Sequence, residues 1–449
     1  MIADSVLTNA RAYLKREIVD CSIAIEAGKI LKIGKETHMP KSDEKADLHG
    51  LLVLPGVIDS HVHLRDEDKA YKETFLTGTA AAAAGGVTTV LDMPNNSPLT
   101  DNVEALRNRM QLAKRRILVN VGFYSAFPAE TEENARIVAE GAVGFKLFMA
   151  EQIGGLDIDD NEALKDAFKQ TTELKVPVAV HAEDHVLLKK ATDKQRFANR
   201  HDLAAFLKAH DENAELEAIQ RLLALAKQVD NMRLHICHLS TAKGLIAVAE
   251  AKKKGTQVTC EVTPHHLFLT KTDLDRIGAA ALTMPPLRSK ENVEALWKGI
   301  TEGTVDTIGS DHAPHTFEEK EARSIWEVKV GVPGLETTLP LVLTAVHKRR
   351  LSIDRAVQLL SEKPAEIFSL ADRGRIEEGK NADLAVVDFN VKFKIDVPKF
   401  HSKAKFSPFD GWEVQGKPVK TYVNGMLVMD EGEIVAKPGS AHVFRREQA

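Results

Sequence analysis

The 449-residue sequence predicts an α/β protein: a (β/α)8 TIM barrel with a small composite β-sandwich domain built from both chain ends. Two observations predict it. Between Val57 and about Pro314, eight short apolar runs of strand length alternate with segments of helical periodicity. On either side of the barrel, residues 1–53 and 378–449 read as short strands joined by turns. Strands alternating with helices imply parallel βα units, and eight of these fit a closed barrel. An open doubly wound sheet is the alternative, but no G-x-G-x-x-G follows the first strand.

In chain order, segment 1–53 contains the strand-like run IAIEAGKILKIG, with Gly28 at its centre. The barrel segment, 54–377, opens on VIDSHVHL (57–64), VTTVLDM (87–93), ILVNVGF (117–123) and AVGFKLF (142–148). It continues with VPVAVHA (176–182), RLHICHL (233–239), QVTCEVT (257–263) and DTIGSDH (306–312). Helical segments lie between, among them the alanine-rich run 80–84, DNVEALRNRMQLAKR and TAKGLIAVAEAKKKG, which stops at Gly255. The connection from Ala182 to Arg233 has room for more than one helix, and Ser352–Phe368 reads as a closing helix. In segment 378–449, NADLAVVDF and VKTYVNGMLVMDEGEIV are strand-like, and Asn424-Gly425 is a strong hairpin signal. The two β-rich ends are expected to pair.

Composition narrows the function classes. With 43% hydrophobic and 28% charged residues the chain can bury a large core. A net charge of −5 argues against nucleic acid, and leaves an anionic small substrate to be held by local cations. Cys21, Cys237 and Cys260 form no disulfide framework and no metal-type cysteine pair. No run approaches a membrane span, and the N-terminus lacks an apolar segment of signal-peptide type, so a cytoplasmic protein is expected.

The chemistry begins at His61-Val62-His63. Residues two apart on a strand share a side, so both imidazoles are expected to project into the barrel while Val62 and Leu64 face the helices. Four later strands each carry a metal-competent group near the C-terminal end, where barrel enzymes keep their catalytic groups: Lys146, His181, His238 and Asp311. Lone histidines at strand ends are usually structural; five strands contributing at one rim point instead to metal binding. Lys146 lies in an apolar strand. Burial beside divalent cations should lower its pKa, and a neutral amine can add CO2 to give a carbamate whose oxygens bridge two metals. The plain alternative is a lysine paired with a nearby acid. His61, His63 and Asp311 would hold one ion, His181 and His238 the other. Such donors suit Zn²⁺, and Asp311 would also shuttle a proton.

These motifs resemble the amidohydrolase superfamily, from PGVIDSHVHLR (55–65) to GRIEEGKNADLAVVD (374–388). The resemblance implies the subset with a carboxylated lysine and two metals, which includes dihydroorotases, hydantoinases and allantoinases. Arg65 in HVHLR, Asn95 in DMPNNSP and His315 in SDHAPH resemble the residues with which dihydroorotases grip a substrate carboxylate. EVTPHH, PPLR and GVPGLETTLPL resemble the archaeal branch, in which Pro333-Gly334 would approach the substrate through the backbone and His63 would border it. Met284 departs from the pattern, since many relatives have Asn there. The implied reaction is the reversible closure of N-carbamoyl-L-aspartate to L-dihydroorotate. The resemblance leaves room for a homodimer or for association with other pyrimidine-pathway enzymes. A hydantoinase or allantoinase, and a metal-free scaffold of the same fold, are the competing readings.

Overall fold

The computed structural model describes residues 2–445; Met1 and residues 446–449, at the outer ends of the terminal segments, lie outside the described residues. Eight parallel strands follow one another around the expected barrel. They are β1 (Val57–Val62), β2 (Val87–Asp92), β3 (Asn120–Ala126), β4 (Gly144–Phe148), β5 (Val178–His181), β6 (Leu234–Ile236), β7 (Val258–Val262) and β8 (Thr307–Ile308). Each pairs in parallel with the next. Closure comes just past β8, where Val62 bridges His312 and the His63 amide donates to the His312 carbonyl at 2.8 Å.

All eight strands depart from their expected bounds, and at two of them the physical reason is local. β3 starts three residues late because Leu118 spends its amide on Thr79 Oγ1, at 3.1 Å. The tail then pairs beside the base of β3: Val121 donates to the His442 carbonyl at 3.0 Å, and Phe444 donates to the Val121 carbonyl at 3.1 Å. β8 stops at Ile308 because Gly309 passes against β7; a Cβ there would lie 2.2 Å from Glu261 Oε2.

Side-chain caps start several of the helices, with Thr74, Asn102, Asp160 and Thr241 each accepting a first-turn amide. The alanine run lies in Phe75–Ala84, where small side chains let the helix pack closely on the barrel. The Ala182–Arg233 connection holds three helices: His185–Phe197, Leu203–Ala209 and Glu212–Ala226. The closing segment is helical from Ile353 to Ile367 and widens to a π-turn over Gln358–Glu362. Pro364 explains the widening, since its ring would clash with the carbonyl one ordinary turn earlier. Phe368 then reaches the barrel base, where it packs edge-on against Tyr124 and His235.

Strands from both ends of the chain form a nine-stranded sheet among the described residues. The seam is Leu52–Pro55 against Leu384–Lys394, antiparallel, with Val53 opposite Val386. Asn424 and Gly425 turn the expected hairpin, with φ of 47° and 78°. No helix among the described residues is long and apolar enough to cross a membrane.

Candidate metal centre

The six residues expected at one mouth of the barrel are brought together there. Asp311 Oδ1 lies 3.3 Å from His61 Nε2 and 3.2 Å from His63 Nε2. The His61 ring centroid is 5.3 Å from that of His238, which is 4.6 Å from that of His181. Lys146 Nζ sits 3.0 Å from Cys237 Sγ, next in sequence to His238, and 5.2 Å from the Phe148 ring centroid. All six side chains are buried.

Strand alternation explains only part of this convergence. His61, Lys146 and His181 lie within their strands. His238 and Asp311 lie beyond theirs, in left-handed backbone with φ of 35° and 46°, as does Arg65 at 56°. Non-glycine residues in that region cost about 1–3 kcal/mol each and persist where surrounding structure holds them. Here, Glu261 Oε1 accepts the His238 amide at 3.2 Å, and Asp59 accepts the Ser310 amide at 3.1 Å.

The donors fit divalent cations. Neither ring nitrogen of His238 has a hydrogen-bond partner among the described residues, and its Nδ1 is sealed from solvent. Burial, with Arg65 adding to it, takes the His63 imidazole down to about 3 against the pull of Asp311, leaving it neutral with a lone pair to give. At His61, burial and Lys146 oppose protonation, but Glu261 and Asp311 outweigh them and lift the imidazole to about 10. The pocket therefore favours positive charge beside His61. No carboxylate lies within ion-pair distance of Lys146 among the described residues, which removes the salt-bridged alternative.

Around these groups lie residues that the sequence reading left out. Glu261 Oε1 takes His61 Nδ1 at 2.8 Å, and Glu183 Oε2 takes His181 Nε2 at 2.9 Å. A carboxylate inside the apolar run QVTCEVT was the available signal for Glu261; Glu183 had none beyond lying two residues after His181. Asn95 Oδ1 meets His63 Nδ1 at 2.8 Å, so this amide orients a histidine as well as facing the mouth. Arg65 is buried and makes no hydrogen bond among the described residues. Both nitrogens of His315 are engaged, Nδ1 by Glu319 (2.9 Å) and Lys72 (3.2 Å), and Nε2 by the Val330 carbonyl (3.0 Å). Pro333 and Gly334 are buried in the same loop, and the Gly334 amide lies 3.2 Å from His312 Nδ1.

A family model described as "Amidohydrolase family" matches residues 52–428. The chain belongs to the amidohydrolase family. It is 38% identical to a dihydroorotase of Methanothermobacter thermautotrophicus, over 93% of each chain. It is 34% identical to an L-hydantoinase of Paenarthrobacter aurescens, covering 99% of this chain and 98% of that one. Among solved structures, an L-hydantoinase (dihydropyrimidinase) from Arthrobacter aurescens superposes with a TM-score of 0.95 at 34% identity, covering 99% of this chain and all of that one. The amidohydrolase-family match spans the barrel and the seam of the outer sheet.

Proposed function

We propose that this amidohydrolase-family chain is a dihydroorotase, interconverting N-carbamoyl-L-aspartate and L-dihydroorotate in pyrimidine biosynthesis. The observation that carries the reading is Arg65, a buried guanidinium at the mouth with no hydrogen-bond partner among the described residues. A buried, unpaired cation is costly unless a ligand brings the counter-charge. Dihydroorotate brings a carboxylate, which a planar guanidinium can grip through two parallel bonds. Hydantoin and allantoin are neutral rings and bring none.

In this reading His61, His63 and Asp311 hold one divalent cation and His181 and His238 a second. Lys146 would carry a carbamate able to ligate either cation, a reading supported by its buried amine lacking an acid partner among the described residues. Zinc suits these donors. When bound, such cations supply Lewis acidity toward a carbonyl and lower the pKa of water. The remaining work belongs to the chain. In hydrolysis, water oxygen adds to the ring carbonyl carbon and the carbon–nitrogen bond breaks. Asp311 Oδ2, free of hydrogen bonds among the described residues, takes the water's proton and returns it to the departing nitrogen. Ring closure runs the same transfers backwards. Arg65 and the Asn95 amide hold the substrate carboxylate, with His63 bordering it and the Pro333-Gly334 backbone closing the far side. His315 joins them by exchanging its bond to Glu319 or Val330.

A second reading, a hydantoinase-type enzyme, is favoured by the 0.95 TM-score and by Met284, which offers no amide to the ring. The test is one purified preparation assayed side by side on dihydroorotate, hydantoins and allantoin, with metal quantified in the same sample. Turnover of dihydroorotate well above the neutral rings is expected. Preference for a neutral ring would hand the assignment to the second reading, and a folded, metal-free, inactive protein would leave only a scaffold.

A further inference from the structure

We propose that Glu183 is a positioning residue for the second cation position, acting through His181 and flanked by His210 and Arg288. The inference rests on the metal reading above and adds the groups that make this half of the centre competent. His181 closes β5, and its Nε2 lies 2.9 Å from Glu183 Oε2. A carboxylate can only accept, so Nε2 carries the proton and Nδ1, without a partner among the described residues, keeps the lone pair. A carboxylate behind a histidine fixes its tautomer and ring orientation and strengthens it as a ligand.

Glu183 is itself fully buried and would be costly without positive partners. Its Oε1 lies 3.4 Å from His210 Nδ1 and 3.9 Å from Arg288 Nη2. Arg288 is pinned on its other edges, donating from Nη1 to the His210 carbonyl at 2.5 Å and from Nε to Ser240 Oγ at 3.0 Å. Ser240 stands two residues beyond His238. It is fixed by Glu215, which accepts its hydroxyl at 2.5 Å and also the Thr241 amide and hydroxyl, at 2.9 and 2.6 Å. Glu183 thus backs His181 directly, while Arg288, in ion-pair contact with Glu183 but without a hydrogen bond to it, joins Ser240 and Glu215 in bracing the turn that carries His238. The first cation position has a different backing, Glu261 behind His61 and Asn95 behind His63. Loss of Glu183 should therefore weaken one position and spare the other.

The experiment is a Co²⁺ titration of metal-depleted protein followed by absorbance and by elemental analysis, on wild type, Glu183→Ala, Glu183→Gln and Arg288→Met. Wild type is expected to take two equivalents. Glu183→Ala should bind the second equivalent roughly 10- to 100-fold more weakly with the first unchanged. Glu183→Gln, which keeps an acceptor for Nε2, should recover part of that loss. Two equivalents bound by Glu183→Ala with wild-type affinities would overturn the proposal. If that variant does not fold, an unchanged second step in both Glu183→Gln and Arg288→Met would do the same. Failure of the wild type to bind any cation would instead remove the metal reading itself.

Discussion

Arg65 and Lys146 are both basic side chains taken out of water with no carboxylate in ion-pair contact among the described residues, and the two call for different partners. For Arg65 the proposed partner is the substrate. Arg65→Met should raise KM for dihydroorotate about 10²-fold, the worth of roughly 3 kcal/mol of charge-assisted hydrogen bonding. Metal content should stay intact, and any slow turnover of a neutral hydantoin should be unaffected. Steady-state kinetics on both substrates checks this, and equal losses on both would remove Arg65 from carboxylate binding. For Lys146 the proposed partner is CO2. Lys146→Ala should lose activity and most bound metal, and a short carboxylic acid should restore part of both by supplying the missing oxygens. Metal analysis with and without the acid decides it; a variant that keeps both ions unaided would exclude a bridging carbamate.

At the scale of elements, turns do work that regular structure does not. The strands end early, and left-handed turns swing His238 and Asp311 inward. The outer sheet relies on another pair of turns, one from each chain end. Gly28 and Gly425 face each other so closely that a Cβ on Gly425 would lie 2.7 Å from Ile25 Cγ2, and one on Gly28 would lie 2.9 Å from the Asn424 carbonyl oxygen. Between them, Ala382 donates to Gly28 and accepts from Gly425, both at 2.9 Å. Gly425→Ala combines a φ of 78° with that clash. It should cost about 1–3 kcal/mol in denaturant unfolding while leaving metal binding unchanged. A neutral result would mean that the interlocked turns add little to stability.

At the scale of the molecule, two carboxylates tie the barrel to the segment approaching the outer sheet. Glu73 accepts the Ser402 hydroxyl, and Glu336 Oε1 accepts the His401 and Ser402 amides at 2.9 and 3.1 Å. Burial lifts Glu336 to about 8, Glu73 adding to the rise while the two amides and Lys405 oppose it. A folded-state value above the unfolded one means that the folded chain holds the proton more tightly. The resulting stability is complete below about 4.5 and is lost as pH rises through about 8. Thermal unfolding between pH 5 and 9 should show that fall, worth no more than a few kcal/mol given water at the group's edge. Glu336→Gln should flatten it, since its amide oxygen still accepts both amides without titrating. An identical pH profile in the variant would assign the fall to other groups.

The barrel, the pairing of the chain ends and five of the strands that supply the centre were legible in the sequence because they depend on periodicity. Alternating apolar runs define strands, and a histidine or lysine inside such a run must face inward. The Asn424-Gly425 hairpin was equally local. Partners that depend on distance were hidden: Glu261 behind His61 is 200 residues away, and Arg288 meets His210 across 78. The left-handed turns at His238 and Asp311 were also hidden, because no glycine marks them. Local pattern thus determined which side chains enter the barrel. Only the packed structure decided which ring nitrogen each histidine engages and, among the described residues, left Arg65 without a hydrogen-bond partner, because those outcomes are set by contacts between remote segments that no short window of sequence contains.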